Sequence, residues 1–218
     1  MASKKEQFLV FLKPDAYLRK YIGAKILDEI HKNKDYEILA FKEVTMSDKH
    51  ARRHYQEHKG KDFFPWLLKF IKIGPVLAMI VKGDIQKFRE MIGSTRCQEA
   101  DSHSIRGNLG VWGGVNLIHA SDSSETAKKE LKVWNEEISL AIDKKVEEKI
   151  KDYISTWSLK DKNYSKQLKE HCSELVNSKN PENEIRKKLI ELLKEECYTS
   201  DEGIVKLFTD VIIEACKL

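Results

Sequence analysis

The 218-residue chain carries 41% hydrophobic and 34% charged residues with a formal net charge of +4, which suits a folded globular protein and excludes a disordered or collagen-like one. No apolar run approaches the roughly 20 residues of a membrane-spanning helix, and Met1-Ala2-Ser3-Lys4-Lys5-Glu6-Gln7 lacks the apolar core of a signal peptide. Cys97, Cys172, Cys197 and Cys216 show neither CxxC nor zinc-ligand spacing, so reduced thiols in a cytoplasmic protein are expected, and the mild positive excess does not call for nucleic acid.

Phe8-Leu9-Val10-Phe11-Leu12 reads as a buried strand, ended by Lys13-Pro14-Asp15 because proline removes a ladder donor. Ile22, Ile26, Leu27 and Ile30 predict a helix, and Glu37 to Val44 a second strand. Ser47 can cap a polar helix over Asp48–His58, and Phe64–Ile71 continues as another. Pro75 to Val81 is apolar throughout and predicts a central strand. A helix over Asp84–Ile92 ends at Gly93, and residues 94–115 form a long irregular stretch, a length that is usually functional in a compact domain. A strand step at Asn116–Ile118 and a helix over Ser124–Trp134 complete the pattern. Helix-separated strands in this order predict an α+β fold, a ferredoxin-like sandwich with an antiparallel sheet and helices on one face.

From Ile138 no strand-like run recurs. Ile138, Ile142, Val146, Ile150 and Ile154 make one helical stripe; Ser158 can start a helix carrying Leu168, Cys172, Leu175 and Val176. Asn180 can cap a helix with Pro181 at its first position, and Thr199-Ser200-Asp201-Glu202 matches a capping box before Ile204 to Ala215. The chain thus divides into residues 1–137 and an all-α extension, 138–218, either a small bundle or a layer on the first domain. The first part holds 24 basic and 19 acidic residues, the second 15 and 16, so the positive excess lies with the first.

The sharpest local feature is Asn116-Leu117-Ile118-His119-Ala120-Ser121-Asp122-Ser123, a strand end, an imidazole and a helix start within eight residues. Asp122 or Ser121 can cap that helix, and its free N–H groups attract anions. Neither a Walker loop nor GxGxxG occurs, so phosphate has to be held by side-chain cations, for which Lys13, Arg89 and Arg106 stand beside breaks in regular structure.

Lys13-Pro14-Asp15, His54-Tyr55, Phe63-Phe64, Gly74-Pro75-Val76, Ile105-Arg106-Gly107 and Asn116-x-x-His119-Ala120-Ser121-Asp122 occur in an order and spacing that resembles the nucleoside diphosphate kinase family from about Gln7 to Trp134. The resemblance implies transfer of a γ-phosphate from a nucleoside triphosphate to a nucleoside diphosphate through phosphorylated His119, in ping-pong fashion. Neutral imidazole offers a lone pair for that step, and fixed cations would stabilise the charge of the transferring group. It further implies that Lys13 binds phosphate and ribose, Tyr55 bonds near His119, and Arg89, Thr95 and Arg106 hold the phosphates. Asn116 would bind the sugar and Phe63 stack on the base. Glu130 would fix the imidazole tautomer with support from Ser121 and Glu57. Mg2+ would ride on the nucleotide phosphates without a protein metal cage. A homo-oligomer, most simply a hexamer, is implied, with no membrane or nucleic-acid partner.

Two departures stand out. Gly113 replaces the apolar residue that usually faces Phe63 across the base, which leaves the second wall of the cleft open and nucleotide affinity differently tuned. The loop Thr95–Ser104 lacks the family's proline and glycine, and it usually contributes oligomer contacts. The alternative reading is a weakly active or inactive nucleotide-binding scaffold whose extension docks a partner. The extension itself reads either as extra core and oligomer packing or as that docking module.

Overall fold

The computed structural model describes residues 5–218. Four strands, β1 (Glu6–Leu12), β2 (Glu37–Val44), β3 (Val76–Gly83) and β4 (Ile118–Ala120), form one sheet in the order β2-β3-β1-β4 with antiparallel neighbours throughout. Around them run α1 (Pro14–Leu18), α2 (Lys20–Lys32), α3 (Asp48–His54), α4 (Phe64–Phe70), α5 (Ile85–Ile92), α6 (Ile105–Leu109) and α7 (Ser124–Ile138). Pro14 stands in the first turn of α1, where its missing N–H costs nothing. It therefore ends the strand and starts a helix at once.

Helices cover both faces of the sheet rather than the one face expected. Phe8, Val10, Leu12, Met79 and Val81 pack with Ile22, Ile26, Ile85 and Phe88 of α2 and α5. The alternate residues Leu9, Phe11, Ala78 and Ile80 pack with Ala51, Leu67, Phe70 and Trp134. Successive strand residues point to opposite faces, and the unbroken apolar runs of β1 and β3 are what two covered faces require.

The remaining helices are α8 (Val146–Trp157), α9 (Ser165–Val176), α10 (Glu182–Glu196) and α11 (Glu202–Ala215). Leu168, Cys172, Ile185, Leu189, Leu193, Phe208 and Ile212 join the same core as Leu9, Phe11 and Trp66. Trp66 Nε1 donates to Val211 O at 3.0 Å, and Tyr198 N–H donates to Leu18 O at 2.9 Å. Arg19 is wholly buried and donates to Leu109 O, Ser165 Oγ and Glu196 Oε1 at 3.1, 2.6 and 2.9 Å. Residues 138–143 run along β2, where Asp143 N–H donates to Leu39 O and Lys42 Nζ to Ile138 O. An edge strand otherwise offers its backbone to other chains.

Several boundaries differ from the sequence reading. The stripe from Ile138 to Ile154 is broken, because Ser139 is left-handed (φ 53°) and α8 begins only at Val146, leaving Ile142 exposed. Ser158 opens a single 3-10 turn, Ser158–Lys160, and α9 starts at Ser165. Pro181 itself is the N-cap of α10 and Asn180 bonds Glu174 instead; Asp201, not Thr199, caps α11 by accepting from Gly203 N–H. At α8, α9 and α11 a nearby side chain takes the backbone N–H groups: Asp143 accepts from Lys145, Asn163 from Ser165 and Asp201 from Gly203.

Candidate active site

The site is built on the backbone turn before β4. Lys13 N–H donates to Leu117 O at 2.7 Å, and Leu117 N–H donates to Asp15 Oδ2 at 2.9 Å. Held on both sides, Leu117 keeps φ at 74°, a conformation that costs a side-chain-bearing residue about 1–3 kcal/mol. Beside it, buried Asn116 donates from Nδ2 to Thr95 O at 2.6 Å and accepts at Oδ1 from Lys13 Nζ at 2.7 Å. Asp15 is buried, which pushes its carboxyl up against the opposing pull of Lys13 and Arg19.

The strand therefore occupies 118–120, not 116–118, and His119 lies within it. It pairs with Phe11 of β1, and the two rings stack with centroids 4.7 Å apart and planes 20° from parallel. His119 Nε2 meets Glu130 Oε1 at 2.8 Å, and Ser121 Oγ donates to Glu130 Oε2 at 2.5 Å. Ser121 Oγ also accepts from Leu9 N–H at 3.1 Å, which ties this chain of bonds to β1. Ser121 and Asp122 do not cap α7; Ser123 does, accepting from Thr126 N–H. That register places Glu130 two turns into the helix and level with His119. Burial would raise the Glu130 carboxyl, but the charge His119 carries when protonated, with its hydrogen bond, holds it down at about 2. An ionised Glu130 accepts the Nε2 proton, so Nδ1 of His119 is left with its lone pair.

Three cations converge on the same space. Burial, reinforced by Arg106, lowers Lys13 to about 7. Arg106 donates to Gly93 O at 2.9 Å and Ile118 O at 2.6 Å; burial and then Arg89 bring it down to about 10. Position 93 takes only glycine, because its φ is 86° and a Cβ there would stand 2.2 Å from Ser104 Oγ. Arg89 pairs with Asp122. Tyr55 is buried, its phenol pushed up by that burial, and its hydroxyl has no hydrogen-bond partner among the described residues.

Lys13, Tyr55, Phe63, Arg89, Thr95, Arg106, Asn116, His119 and Glu130 all line one cavity of about 1020 Å³. Ser121 sits behind it, fully buried. Glu57 lines the rim but is exposed and 3.7 Å from His58 Nε2, so it does not reach the Glu130 network as expected. Ligand atoms of His54, His119 and Glu130 lie within 4.8 Å of one another. Hydrogen bonds account for that grouping, since Glu130 serves His119 and Ser121 while His54 Nδ1 accepts from Trp134 Nε1 at 3.2 Å.

A family model described as "Nucleoside diphosphate kinase" matches residues 6–139. The chain belongs to the nucleoside diphosphate kinase family. It is 42% identical over 135 residues to the nucleoside diphosphate kinase of Methanocaldococcus jannaschii, an alignment covering 61% of this chain and 95% of that one. With the enzyme of Kosmotoga olearia it shares 42% over 131 residues, 59% of this chain and 88% of the other. Among solved structures it is similar to the nucleoside diphosphate kinase of Aquifex aeolicus, with a TM-score of 0.57 and 33% identity over 63% of this chain and all of that one. It is likewise similar to the Halobacterium salinarum nucleoside diphosphate kinase in complex with CDP, with a TM-score of 0.57 and 31% identity over 67% of this chain and 99% of the other. The nucleoside diphosphate kinase domain is thus a phosphotransferase domain, and a helical extension follows it.

Three contributors to this kinase-family site carry no role in the sequence reading. Phe11 packs flat on His119, and cross-strand register was the signal, since both occupy inward positions of paired strands. His54 is buried with its ring centroid 4.7 Å from that of His119; burial, then the His119 charge, holds it well below the usual histidine range. Neutral, and accepting at Nδ1, it carries its proton on Nε2. The third contributor is the end of α11, where Ala215, Cys216 and Leu218 line the cavity; nothing local in sequence links position 215 to position 113.

Proposed function

We propose that this chain transfers the γ-phosphoryl group of a magnesium-bound nucleoside triphosphate to His119 Nδ1 and from there to a nucleoside diphosphate. The observation that carries the reading is the Ser121–Glu130–His119 chain of hydrogen bonds, which commits the Nε2 proton and presents a lone pair to a cavity lined by Lys13, Arg89 and Arg106. In each half-reaction the N–P bond forms or breaks as the O–P bond to the nucleotide breaks or forms, with the departing oxygens carrying the negative charge. Arg106 and Lys13 meet that charge; Arg89 exchanges Asp122 for phosphate oxygens; Tyr55 donates its unengaged hydroxyl nearby. Asn116 and Lys13, already bonded to each other, receive the sugar hydroxyls, and Phe63 receives the base.

Mg2+ belongs to the substrate. Of the four cavity carboxylates, Glu57 and Asp62 are exposed on the rim, Asp122 is paired with Arg89 and Glu130 is bonded twice, so the ion takes its ligands from the phosphates and water. Buried free thiols at 97, 172 and 197 suit a reducing, cytoplasmic setting. Residues 138–218 act as an added layer of the kinase domain. A homo-oligomer, the hexamer included, has to accommodate residues 138–143, which bond to Leu39 and Lys42 on the β2 edge; light scattering on the eluting peak of a sizing column reads the mass directly.

The test is incubation with γ-labelled ATP. An acid-labile, base-stable label on the protein, discharged by any added nucleoside diphosphate, is expected. His119→Ala should lower turnover by roughly 10⁴-fold or more while nucleotide still binds. Full activity in that variant would falsify the assignment.

A further inference from the structure

We propose that the end of α11, residues 215–218, forms the second wall of the nucleobase cleft, with Phe63 as the first, in place of the side chain that position 113 does not supply. The proposal rests on the nucleotide site described above. Gly113 has φ +52°, and a Cβ built on it would stand 3.6 Å from Ala215 O. The backbone of α11 thus passes at van der Waals distance over the spot where a side chain on residue 113 would begin. Ala215, Cys216 and Leu218 line the same cavity as Phe63.

The wall is fixed relative to Phe63. Phe63 is the N-cap residue of α4, and α4 is also what holds α11. Trp66 Nε1 donates to Val211 O at 3.0 Å, and Lys69 Nζ pairs with Glu214 Oε1 at 2.6 Å. One helix therefore sets the positions of both walls. Gly113 N–H is held by Gln98 Oε1 at 2.9 Å, which fixes the floor between them. The wall is also incompletely covered. Leu218 is 57% exposed and Val176 46% exposed, two of the five large hydrophobic side chains left open among the described residues, and both line this cavity. Apolar surface exposed inside a cleft suits a flat aromatic ligand that covers it. A wall of aliphatic and thiol groups contacts any base by its face, so it favours none by hydrogen bonding.

The extension then acts on substrate binding and not only on stability. Removing residues 216–218 should raise KM for nucleoside diphosphates about tenfold, more for ADP than for CDP because a purine has the larger face, with a smaller fall in kcat. A second measurement keeps the intact chain. Cys97, Cys172 and Cys197 are buried whereas Cys216 is partly exposed, so iodoacetamide should modify Cys216 first, and saturating ADP should slow that reaction several-fold. Wild-type KM values in the shortened chain, or alkylation that ADP does not slow, overturn the proposal; if the shortened chain does not fold, the alkylation result alone decides. Labelling of His119 by ATP, followed in parallel, separates the two failures. Label without protection of Cys216 sinks the wall and leaves the kinase standing, and no label sinks both.

Discussion

The kinase domain and the extension aim their buried polar groups at different targets, the one at a cavity and the other at the seam between the two regions. In the domain, Lys13, Asp15, His54, Arg106, Asn116, Ser121 and Glu130 are all buried around one cavity or its support. Several keep unused capacity there: Tyr55 Oη, His54 Nε2 and Arg106 Nε have no hydrogen-bond partner among the described residues. Among the described residues of the extension, the buried polar ones are Ser165, Glu196 and Thr209. Ser165 and Glu196 bond to Arg19, and Thr209 bonds to its own helix at Val205 O. A buried polar atom without a partner costs about 1–3 kcal/mol. Arg19 Nε and Glu196 Oε2 lack partners too, but those two side chains are wholly enclosed and serve permanent attachment, whereas His54, Tyr55 and Arg106 line the cavity that a ligand enters.

The most severe way to break the contrast is to remove the attachment altogether. A chain ending at Ile138 would expose Trp66, Phe70, Leu18 and the faces that Leu189, Phe208 and Ile212 now cover. Each large side chain returned to water forfeits roughly 1.5–3 kcal/mol, and stabilities of whole domains are only about 5–15 kcal/mol. This shortened chain should be recovered aggregated, or should melt far below the full chain. A soluble 138-residue protein with unchanged thermal midpoint would show that the two regions do not share one core.

A single substitution sharpens the same point. Arg19→Met leaves Glu196 buried with no counter-charge, and breaking one side of a buried pair costs about 3–5 kcal/mol. The double variant Arg19→Met/Glu196→Leu removes both charges and should regain most of that loss. Denaturant titration of the three proteins reads the difference. Equal losses in the single and double variants would mean that the pair contributes through packing rather than charge.

The unequal legibility of the two regions has the same origin. In the domain, strand runs, the Ser47 and Asp84 helix starts and the spacing around His119 are local signals, and the β2 and β3 positions follow from them. The convergence of Lys13, Arg106 and Asn116 is not local, and there the family resemblance supplied what periodicity could not. In the extension, amphipathic spacing marks the helices but not their starts: Asp201 rather than Thr199 caps α11, and Asn180 spends its side chain on Glu174 while Pro181 opens α10 without a side-chain cap. Periodicity points to one covered face because the second cover meets the strands from far along the chain, as with Trp134 of α7, whose ring stacks on Phe11 with centroids 5.0 Å apart. Gly113 reads as a missing wall because its spatial neighbour lies about 100 positions away. The group that stands beside it, Ala215 O, belongs to another helix.

The smallest expected effect tests the domain side of the contrast, through Lys13. With no nucleotide bound, burial and Arg106 hold this amine at about 7, against an ordinary value of 10.5. The unfolded chain therefore binds more protons than the folded one between those values. The folded protein accordingly gains stability from this group as pH rises from about 7 to 10.5, and the penalty of burying the charge is fully present below 7. A nucleotide phosphate has the opposite preference, because it attracts the charged amine. Affinity for a nucleoside diphosphate should thus be greatest below pH 7 and weaken as pH rises above it, by at most tenfold per unit, until the bound-state value is passed. Lys13→Met has no proton to lose there, so its weaker binding should change little over the same range. Calorimetric titration with ADP from pH 6 to 9 measures both proteins, and parallel curves would show that Lys13 keeps its charge throughout.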